Sequence, residues 1–510
     1  MGLLIRADGG GAIGAGHLMR CLALAQAERD RRGDRAVTFA IPRQAEALTS
    51  RLAADADRIV LFHEPTGSDA DADHLAALAR EIGADRIVLD GYSFGSAYRR
   101  RLRAAGCAGR LIVIDDEGGQ AFSDVDAVVN PNLGAEESLY RDRSERTRLL
   151  LGSRFALFRR EFRKARPSSA IRANSTSIPI SEVRRIIVTL GASDPNNATL
   201  RVVEALRMAK LSDDIDVDIV IGAWHPDPSS VVDAASVAGH RFTARRDVAD
   251  MASLLNDADL AIIGGGSTLW ECARLGVPPL VLILADNQRP GATRASTSGI
   301  AALAGDMSTL SVEALADRIR DLIADAALRD ELARNGRKRF DGQGASRILE
   351  TLDAPLRPAL LTDRELVFGW VNDPATRAAA FAPDPVPWAT HVAWFGARLN
   401  DPHCWFFLGL DDDQPAACVR FDDDLDPARA GETTISVMVA PDRRGRGLGQ
   451  RLIRAGADHM IRVNGAEYVN AYIRPDNPAS IRGFEQAGFV RANPEPISYR
   501  GCPAWHYRYC

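Results

Sequence analysis

The sequence predicts an α/β protein of three domains, and three observations support this prediction. The chain has 510 residues with 46% hydrophobic content, which is more than one hydrophobic core usually accommodates. Short apolar runs at 36–40, 86–89 and 111–114 alternate with helical patterns, as is typical of a doubly wound parallel sheet. A second alternation begins at Arg185, and a different pattern follows a short junction at Pro355 to Pro358. We therefore expect domains at 1–165, 181–350 and 356–510.

The composition limits the functions to be considered. The formal net charge of -5 gives no electrostatic reason to expect nucleic-acid binding. Seven cysteines without regular spacing favour reduced thiols over a disulfide framework or a zinc site, and we expect no metal. The sequence has neither an apolar run of membrane-spanning length nor a cationic leader followed by an apolar stretch. A cytoplasmic protein with small substrates and no membrane partner is the resulting expectation.

The first two domains form a pair in this interpretation. The stretch Ala165 to Glu182 is rich in Ser, Pro and Arg and lacks an apolar period, which indicates a linker. Two doubly wound lobes joined by a linker are the layout of the GT-B fold. Ligands of such lobes bind at the carboxyl ends of the parallel strands.

A glycine-rich loop and a histidine follow the first predicted strand. Gly9 to Gly11, Gly14 and Gly16 allow tight turns and close approach to a ligand. His17 then falls in the first turn of a helix, where the positive end of the dipole favours the neutral imidazole that a general base requires. The alternative is a phosphate-binding loop with an incidental histidine.

The segment from Arg6 to Ala25 resembles the N-terminal signature of the UDP-sugar hydrolases of pseudaminic acid biosynthesis. Further matches follow in order, namely Asp90-Gly91-Tyr92, Ile114-Asp115-Asp116, Asn130-Pro131-Asn132, Leu151-Gly152, Phe155-Ala156-Leu157 and the closing segment 341–345. The resemblance implies release of UDP from a 2,4-diacetamido-2,4,6-trideoxy-altrose. It also implies catalytic roles for His17 and Asp8, and sugar contacts at Gly14, Gly16 and Tyr92. Gly10 departs from the pattern, since these proteins commonly carry a serine there.

The second lobe has a glycine turn of its own between a strand and a helix. Gly264 to Thr268 separate the apolar run 260–263 from a helical pattern that ends at Gly276. Such a turn directs several backbone N–H groups at one point, where a diphosphate fits. Glu271, one turn into the helix, is suited to accept both ribose hydroxyls, and the loop 191–194 offers a second converging turn. The predicted UDP ligands are Gly191, Ser193, Gly265, Gly266, Ser267, Thr268 and Glu271; a sharp connection without a ligand is the alternative.

Asn287 and Gln288 come after the next predicted strand and are similar to an Asn-Gln pair of the same hydrolases. An amide cannot act as a base, so the two side chains are expected to orient the sugar or water by hydrogen bonds. We assign Asn287 to the catalytic set and Gln288 to the sugar contacts. A solvated amide pair in a loop is the alternative.

Arg444 to Gly449 have the spacing R-x-x-G-x-G after a strand and before an apolar helix, which exposes backbone amides to a pyrophosphate. This segment resembles the GCN5-related N-acetyltransferases (GNAT), which have an α+β fold, and the resemblance implies that the pyrophosphate is that of acetyl-CoA. A basic surface turn is the alternative. The predicted acetyl-CoA ligands are Val437, Val439, Arg444, Gly445, Arg446, Gly447, Gly449, Asn477 and Ser480.

Catalytic groups of the acetyltransferase are less evident. Glu432 precedes the loop on the same strand and is a candidate base, or a solvated charge at the strand end. Many relatives have a tyrosine as acid after the position of Asn477, but here Phe484 stands at that position. Tyr472 is a substitute candidate.

Both resemblances point to consecutive steps on one UDP-linked amino sugar. We expect acetylation of its 4-amino group by the C-terminal domain, followed by hydrolysis of the anomeric C–O bond in the N-terminal region. Three alternatives remain open: a GT-B glycosyltransferase, a 2-epimerising UDP-sugar hydrolase, and a C-terminal domain that senses CoA without turnover.

Overall fold

The computed structural model describes residues 2–10, 13–31, 33, 35–107, 109–165, 182–194, 196–239, 241–246, 248–411 and 414–510. The chain divides into two compact units, Met1–Ile348 and Leu349–Cys510. Most of the predicted linker, 166–181, lies outside the described residues. The three domain boundaries given above stay a prediction.

The first sheet has seven parallel strands in the order β3-β2-β1-β4-β5-β6-β7. Its strands are β1 (Gly2–Ala7), β2 (Ala36–Pro42), β3 (Arg58–Phe62), β4 (Ala84–Asp90), β5 (Arg110–Ile114), β6 (Ala127–Asn130) and β7 (Arg148–Leu151). The helices are α1 (Gly16–Arg31), α2 (Thr49–Leu52), α3 (Asp69–Glu81), α4 (Ser96–Ala104) and α5 (Arg160–Lys164), with 3-10 turns at Arg43–Leu48, Glu137–Tyr140 and Ser153–Phe155. Every residue of β1 is buried, as expected for a central strand covered on both faces.

The second sheet has six parallel strands in the order β10-β9-β8-β11-β12-β13. They are β8 (Arg185–Thr189), β9 (Asp216–Val220), β10 (Phe242–Arg245), β11 (Leu260–Gly264), β12 (Pro279–Ile283) and β13 (Ala302–Asp306). The helices are α6 (Ala198–Met208), α7 (Pro228–Ala238), α8 (Met251–Asn256), α9 (Thr268–Leu275), α10 (Arg289–Thr297), α11 (Val312–Ala324), α12 (Ala326–Arg339) and α13 (Gly344–Asp353), with a 3-10 turn at Asp286–Gln288.

The C-terminal unit contains a mixed sheet in the order β14-β15-β16-β17-β18-β21-β19, with β20 paired to β21. Its strands are β14 (Leu356–Pro358), β15 (Cys404–Asp411), β16 (Gln414–Asp423), β17 (Glu432–Val439), β18 (Tyr468–Ile473), β19 (Val490–Arg491), β20 (Ile497–Tyr499) and β21 (Cys502–Tyr509). The helices are α14 (Arg364–Val371), α15 (Pro374–Ala379), α16 (Trp388–Leu399), α17 (Leu448–His459) and α18 (Pro478–Gln486). Short 3-10 turns lie at Leu361–Asp363, Pro427–Arg429 and Pro441–Arg443, and a π turn lies at Met460–Asn464.

The predicted fold class is confirmed. Two doubly wound parallel sheets, the two lobes of a GT-B-like region, are followed by an α+β domain in which β17 and β18 run parallel within an otherwise antiparallel sheet. All seven cysteines are free thiols, and Cys21, Cys107, Cys272 and Cys418 are buried. Across the described ranges, no helix combines the length and the apolar character needed to cross a bilayer.

Candidate active sites

His17 lies at the start of α1 and faces the carboxyl end of β4. Its Nδ1 is 2.7 Å from Oδ1 of Asp90, the last residue of that strand. A carboxylate accepts only, so Nδ1 carries the proton and donates it to Asp90. Nε2 has no hydrogen-bond partner within the described ranges, and its lone pair is available to take a proton from water. This is the geometry that a general base requires.

Asp90 is fully buried and shared between His17 and Arg20. Burial raises the pKa of this carboxyl, but the attraction of Arg20 and His17 outweighs it and lowers the pKa to about 2. Asp90 is therefore charged at neutral pH. Sequence reasoning quoted this aspartate in a motif but gave it no role.

Tyr92 joins the same site from the loop after β4. Its ring meets the His17 ring edge to face, with 5.1 Å between the ring centroids. Burial raises the pKa of Tyr92, Asp116 adds to this, and a hydrogen bond with the Asn287 side chain acts in the opposite direction. The structure thus brings His17 and Tyr92 of the first lobe together with Asn287 of the second, and these were three of the predicted site residues.

Asp8 lies one residue beyond β1, beside the glycine-rich loop. Its Oδ1 accepts from the Gly9 amide at 2.8 Å, whereas its buried Oδ2 has no hydrogen-bond partner within the described ranges. Gly91 leaves room for this side chain, because a Cβ on Gly91 would be 2.6 Å from the Asp8 Cβ. Gly10 and Gly14 both adopt positive φ angles and hydrogen-bond each other. Side chains at Gly14 and Gly16 would meet no heavy atom within 4 Å, so both glycines border open space.

The turn between β11 and α9 has the properties predicted for a diphosphate site. The backbone amides of Gly266, Ser267 and Thr268 have no acceptor within the described part of the chain. A Cβ on Gly266 would meet nothing within 4 Å, so the turn is open on this side. These amides lie at a helix N-terminus, where an anion is favoured.

Glu271 is in the first turn of α9 and is bound to Arg159 rather than exposed to solvent. Arg159 Nη2 donates to Glu271 Oε1 at 3.0 Å, and both side chains are largely buried. Burial raises the pKa of Glu271, and Arg159 partly counteracts this. A ribose at this position would share the carboxylate with Arg159, which sequence reasoning missed because the two residues are 112 positions apart.

Gly191 and Ser193 precede a strained residue, Asp194. Its φ of 38° is rare for residues other than glycine. The Asp194 carboxylate accepts from the amides of Ala198 and Thr199 at 2.8 and 2.9 Å. This start of α6 is therefore already capped by the protein itself. The roles of Gly191 and Ser193 in UDP binding stay a prediction.

Gln288 supports the glycine turn. Its Oε1 accepts from the amides of Gly265 and Leu284, each at 3.1 Å. With this oxygen engaged, the Nε2 donor is the part of the amide left for a sugar.

In the C-terminal unit, β17 and β18 separate along their length. They pair from Glu432↔Tyr468 to Thr434↔Asn470, and no pairing continues from Ile435 to Val439, all of which the structure describes. The opening exposes the edge of β17 at Val437 and Val439, which β16 pairs on the other side.

The loop before α17 turns at Gly445 and Gly447, which have φ angles of 76° and 73°. Gly449 follows in the first helical turn, and its Cβ position is 3.4 Å from Val439. Arg444, in contrast, directs its guanidinium to Asp373 and Thr376, each at 2.7 Å. Asn477 caps α18 through the Ser480 amide at 3.1 Å. Arg446 is exposed.

Glu432 is held by two partners. Asn470 Nδ2 donates to it at 2.7 Å, and Arg508 Nη2 donates to both oxygens at 3.1 and 3.2 Å. Its role as a base stays a prediction. Tyr472 stacks between Tyr499 and His506, with centroid distances of 4.0 and 4.9 Å. Phe484 is buried against Phe489 and offers no proton.

Comparison with known protein families gives a match within the C-terminal unit. Residues 368–489 match the model of the Acetyltransferase (GNAT) family. The region is thus of GNAT type, in agreement with the parallel pair β17 and β18 and the glycine loop that follows.

The N-terminal region is similar to a protein named for polysaccharide biosynthesis and to an uncharacterized protein. The spore coat polysaccharide biosynthesis protein SpsG of Bacillus subtilis is 25% identical over 351 residues, which cover 68% of this chain and 96% of SpsG. The uncharacterized protein MJ1062 of Methanocaldococcus jannaschii is 24% identical over 294 residues, which cover 57% of each chain. Among solved structures, MurG of Acinetobacter baumannii aligns with a TM-score of 0.47 and 16% identity over 69% of this chain and 99% of its own. The chain is thus similar to SpsG over nearly the whole SpsG length, but spans little more than half of MJ1062.

Proposed function

We propose that this chain is a bifunctional enzyme of pseudaminic acid biosynthesis. Its C-terminal domain acetylates the 4-amino group of UDP-4-amino-4,6-dideoxy-N-acetyl-β-L-altrosamine with acetyl-CoA. Its N-terminal region then hydrolyses UDP-2,4-diacetamido-2,4,6-trideoxy-β-L-altropyranose to the free sugar and UDP.

The hydrolase proposal is carried by one observation, the hydrogen bond between His17 Nδ1 and buried Asp90, which leaves Nε2 open. In the proposed reaction, Nε2 takes a proton from water while the water oxygen bonds to the anomeric carbon. The bond from that carbon to the diphosphate oxygen breaks, and its electron pair leaves with UDP. Asp90 stabilises the imidazolium that forms.

The second lobe supplies complementary contacts in this proposal. The amides of Gly266 to Thr268 receive the diphosphate, whose negative charge grows as the C–O bond breaks. Asn287 orients the sugar together with Tyr92 of the first lobe, and Glu271 binds the ribose. The similarity to SpsG supports a carbohydrate substrate, since that relative is named for polysaccharide biosynthesis.

For the acetyltransferase, the opening between β17 and β18 and the loop at Gly445 to Gly449 support acetyl-CoA as cosubstrate. The sugar amine attacks the thioester carbonyl, the C–S bond breaks, and CoA leaves as a thiolate that takes up a proton. Glu432 would accept the proton of the incoming amine.

The hydrolase is tested in oxygen-18 water with the diacetamido UDP-sugar. Mass spectrometry should find the label in the free sugar and none in UDP, because attack occurs at carbon. Label in UDP would mean attack at phosphorus and refute this mechanism. Recovery of the 2-epimer as product would instead favour the 2-epimerising hydrolase.

A second candidate applies to the C-terminal domain, which would bind CoA as a sensor. Buried Phe484 and the engagement of Glu432 by Arg508 favour it. Consumption of acetyl-CoA with the UDP-amino sugar distinguishes the two: turnover supports the enzyme, and tight binding without turnover supports the sensor.

A further inference from the structure

Several motif residues of the first lobe converge on one arginine. Arg20 is on α1, one turn after His17, and points to the carboxyl ends of β4 and β5. Its partners are Asp90 and Asp116, and Asn132 in turn donates to Asp116 at 2.8 Å. All four residues belong to the motifs described above. The proposed reactions give no role to Arg20, Asp116 or Asn132.

Arg20 holds Asp90 by two parallel hydrogen bonds. Nε donates to Oδ2 at 2.7 Å and Nη2 donates to Oδ1 at 2.6 Å. The third nitrogen, Nη1, donates to Asp116 Oδ1 at 2.7 Å. This two-pronged arrangement fixes the plane of the Asp90 carboxylate, and an ammonium group cannot reproduce it.

The fixed carboxylate determines which nitrogen of His17 carries the proton. Asp90 Oδ1 accepts from His17 Nδ1 and from Arg20 Nη2 at once. Arg20 Nη2 is itself 3.1 Å from His17 Nδ1. Two donors thus lie side by side against one oxygen, which is compatible with a protonated Nδ1 and a lone pair on Nε2.

The charge of Arg20 also opposes that of Asp90 at the imidazole. A carboxylate alone next to a histidine favours the charged imidazolium, which cannot act as a base. Arg20 places a positive charge against the same carboxylate. Burial alone lowers the pKa of Arg20, but Asp116 and Asp90 outweigh it and raise the pKa, so Arg20 keeps its charge.

Several other titratable side chains lie near His17 and Asp90. The Cys21 thiol donates to Asp90 Oδ2 at 3.4 Å, and burial raises its pKa, so it stays neutral. The remaining neighbours are Asp116 after β5, Tyr92 after β4, Asp8 after β1 and Glu117 near Tyr92. Burial raises the pKa of Asp116, but Arg20 outweighs this and lowers it. The Asp116 charge therefore anchors Arg20 on the side away from Asp90.

We propose that Arg20 is a positioning residue for hydrolysis. It clamps Asp90 so that the carboxylate orients His17 with the proton on Nδ1 and the Nε2 lone pair open. The proposal rests on the function proposed for His17. It assigns Arg20 to orient Asp90, and Asp116 and Asn132 to hold Arg20 in place.

The test compares Arg20→Met and Arg20→Lys with Arg29→Met, a matched control on the same helix. Arg29 pairs with Asp57 away from His17. The ring nitrogens are followed by NMR during a pH titration of the full chain labelled on histidine, and His17 is assigned by loss of its signals in His17→Asn. UDP release from the diacetamido UDP-sugar is measured across the same pH range.

In Arg20→Met, the ring nitrogen signals of His17 at neutral pH should no longer show the proton confined to Nδ1, and kcat for UDP release should fall about tenfold or more. Arg20→Lys keeps the charge but loses the two-pronged clamp, so it should show the same change of ring signals and a fall in kcat of about tenfold or more. Arg29→Met should change neither.

Unchanged ring nitrogen signals of His17 in folded Arg20→Met would overturn the proposal. If Arg20→Met does not fold, Arg20→Lys decides: full kcat there would overturn the clamp. The NMR titration does not depend on turnover. Absence of UDP release by the unaltered chain therefore refutes the proposed function, whatever the titration gives for Arg20.

Discussion

His17 shares a buried carboxylate with an arginine, and this pairing gives the residue its chemistry. The imidazole is nearly buried, with 7% of its surface exposed, and its Nδ1 is committed to Asp90. The other nitrogen is the part of the side chain left to act on water. Replacing the ring therefore removes the proposed base.

We expect His17→Asn to lower kcat for UDP release by about a hundredfold to ten-thousandfold, the usual effect of losing a general base. Acetylation by the C-terminal domain should be unchanged. His63→Asn is the matched control, because His63 is exposed in the same lobe. Nucleotide release and acetyl-CoA consumption are followed separately, and near-normal UDP release by His17→Asn would exclude this histidine from the mechanism.

The ion pairs of Asp90 also predict how the fold responds to acid. Its pKa is lowered from 3.8 to about 2 in the folded chain, since Arg20 and His17 outweigh burial. A carboxyl with a lowered folded pKa stabilises the fold fully above its unfolded pKa, and this contribution is lost as the pH falls through the folded value.

The difference in unfolding free energy between the unaltered chain and Asp90→Asn should therefore narrow as the pH falls from about 5 to about 2. Urea denaturation at a series of pH values measures this difference. Asp286→Asn is the control, because the Asp286 side chain is 96% exposed and should give a small difference throughout. A pH-independent difference for Asp90→Asn would contradict the assigned ion pairs.

Among the secondary structure elements, the turn from β11 into α9 joins sequence and function most directly. An apolar run, three glycines and a helix predicted a diphosphate site, and the structure has three unpaired amides there within the described residues. The helix begins at Thr268 and ends before Gly276, whose φ is 73°. The proposal of UDP at this turn can therefore be tested by changing a single glycine.

Gly266→Asp should weaken UDP binding by about 1 to 3 kcal/mol or more, because it places negative charge beside the amides that receive the diphosphate. Gly266→Ala is the control, since a Cβ there meets no heavy atom within 4 Å. Calorimetric titration with UDP compares the two variants. Equal affinity in both would place the nucleotide elsewhere.

Sequence reasoning found the elements of the site but not all of their contacts. The loops after β1 and β11 were predicted because glycine turns and strand ends have local signatures, and the loop after β4 was found through the family motif Asp90-Gly91-Tyr92. The ion pairs from Arg20 to Asp90 and Asp116 span 70 and 96 positions, and Arg159 lies 112 positions from Glu271. Charged residues on separate helices, strand ends and loops are brought together only by tertiary packing, which no local pattern specifies.

At the scale of the whole molecule, the boundary between the two compact units falls within helix α13. The first unit ends at Ile348 and the second begins at Leu349. The first half of α13 packs in the N-terminal unit, where a Cβ on Gly344 would be 2.2 Å from the Ala156 carbonyl. In the C-terminal unit, Glu350 pairs with Arg462, and Ala354 is part of the core.

We expect the two units to be separable, with the stability of the C-terminal fragment depending on where it begins. A fragment from Leu349 keeps Glu350 and Ala354, whereas one from Leu356 loses both. Both should bind acetyl-CoA by calorimetry, because the loop 444–449 is intact in each, but the shorter fragment should melt at a lower temperature since it exposes core surface. A fragment 1–353 should hydrolyse the acetylated UDP-sugar. If neither C-terminal fragment binds acetyl-CoA while the full chain does, the unit depends on the rest of the chain, and the domains act as one.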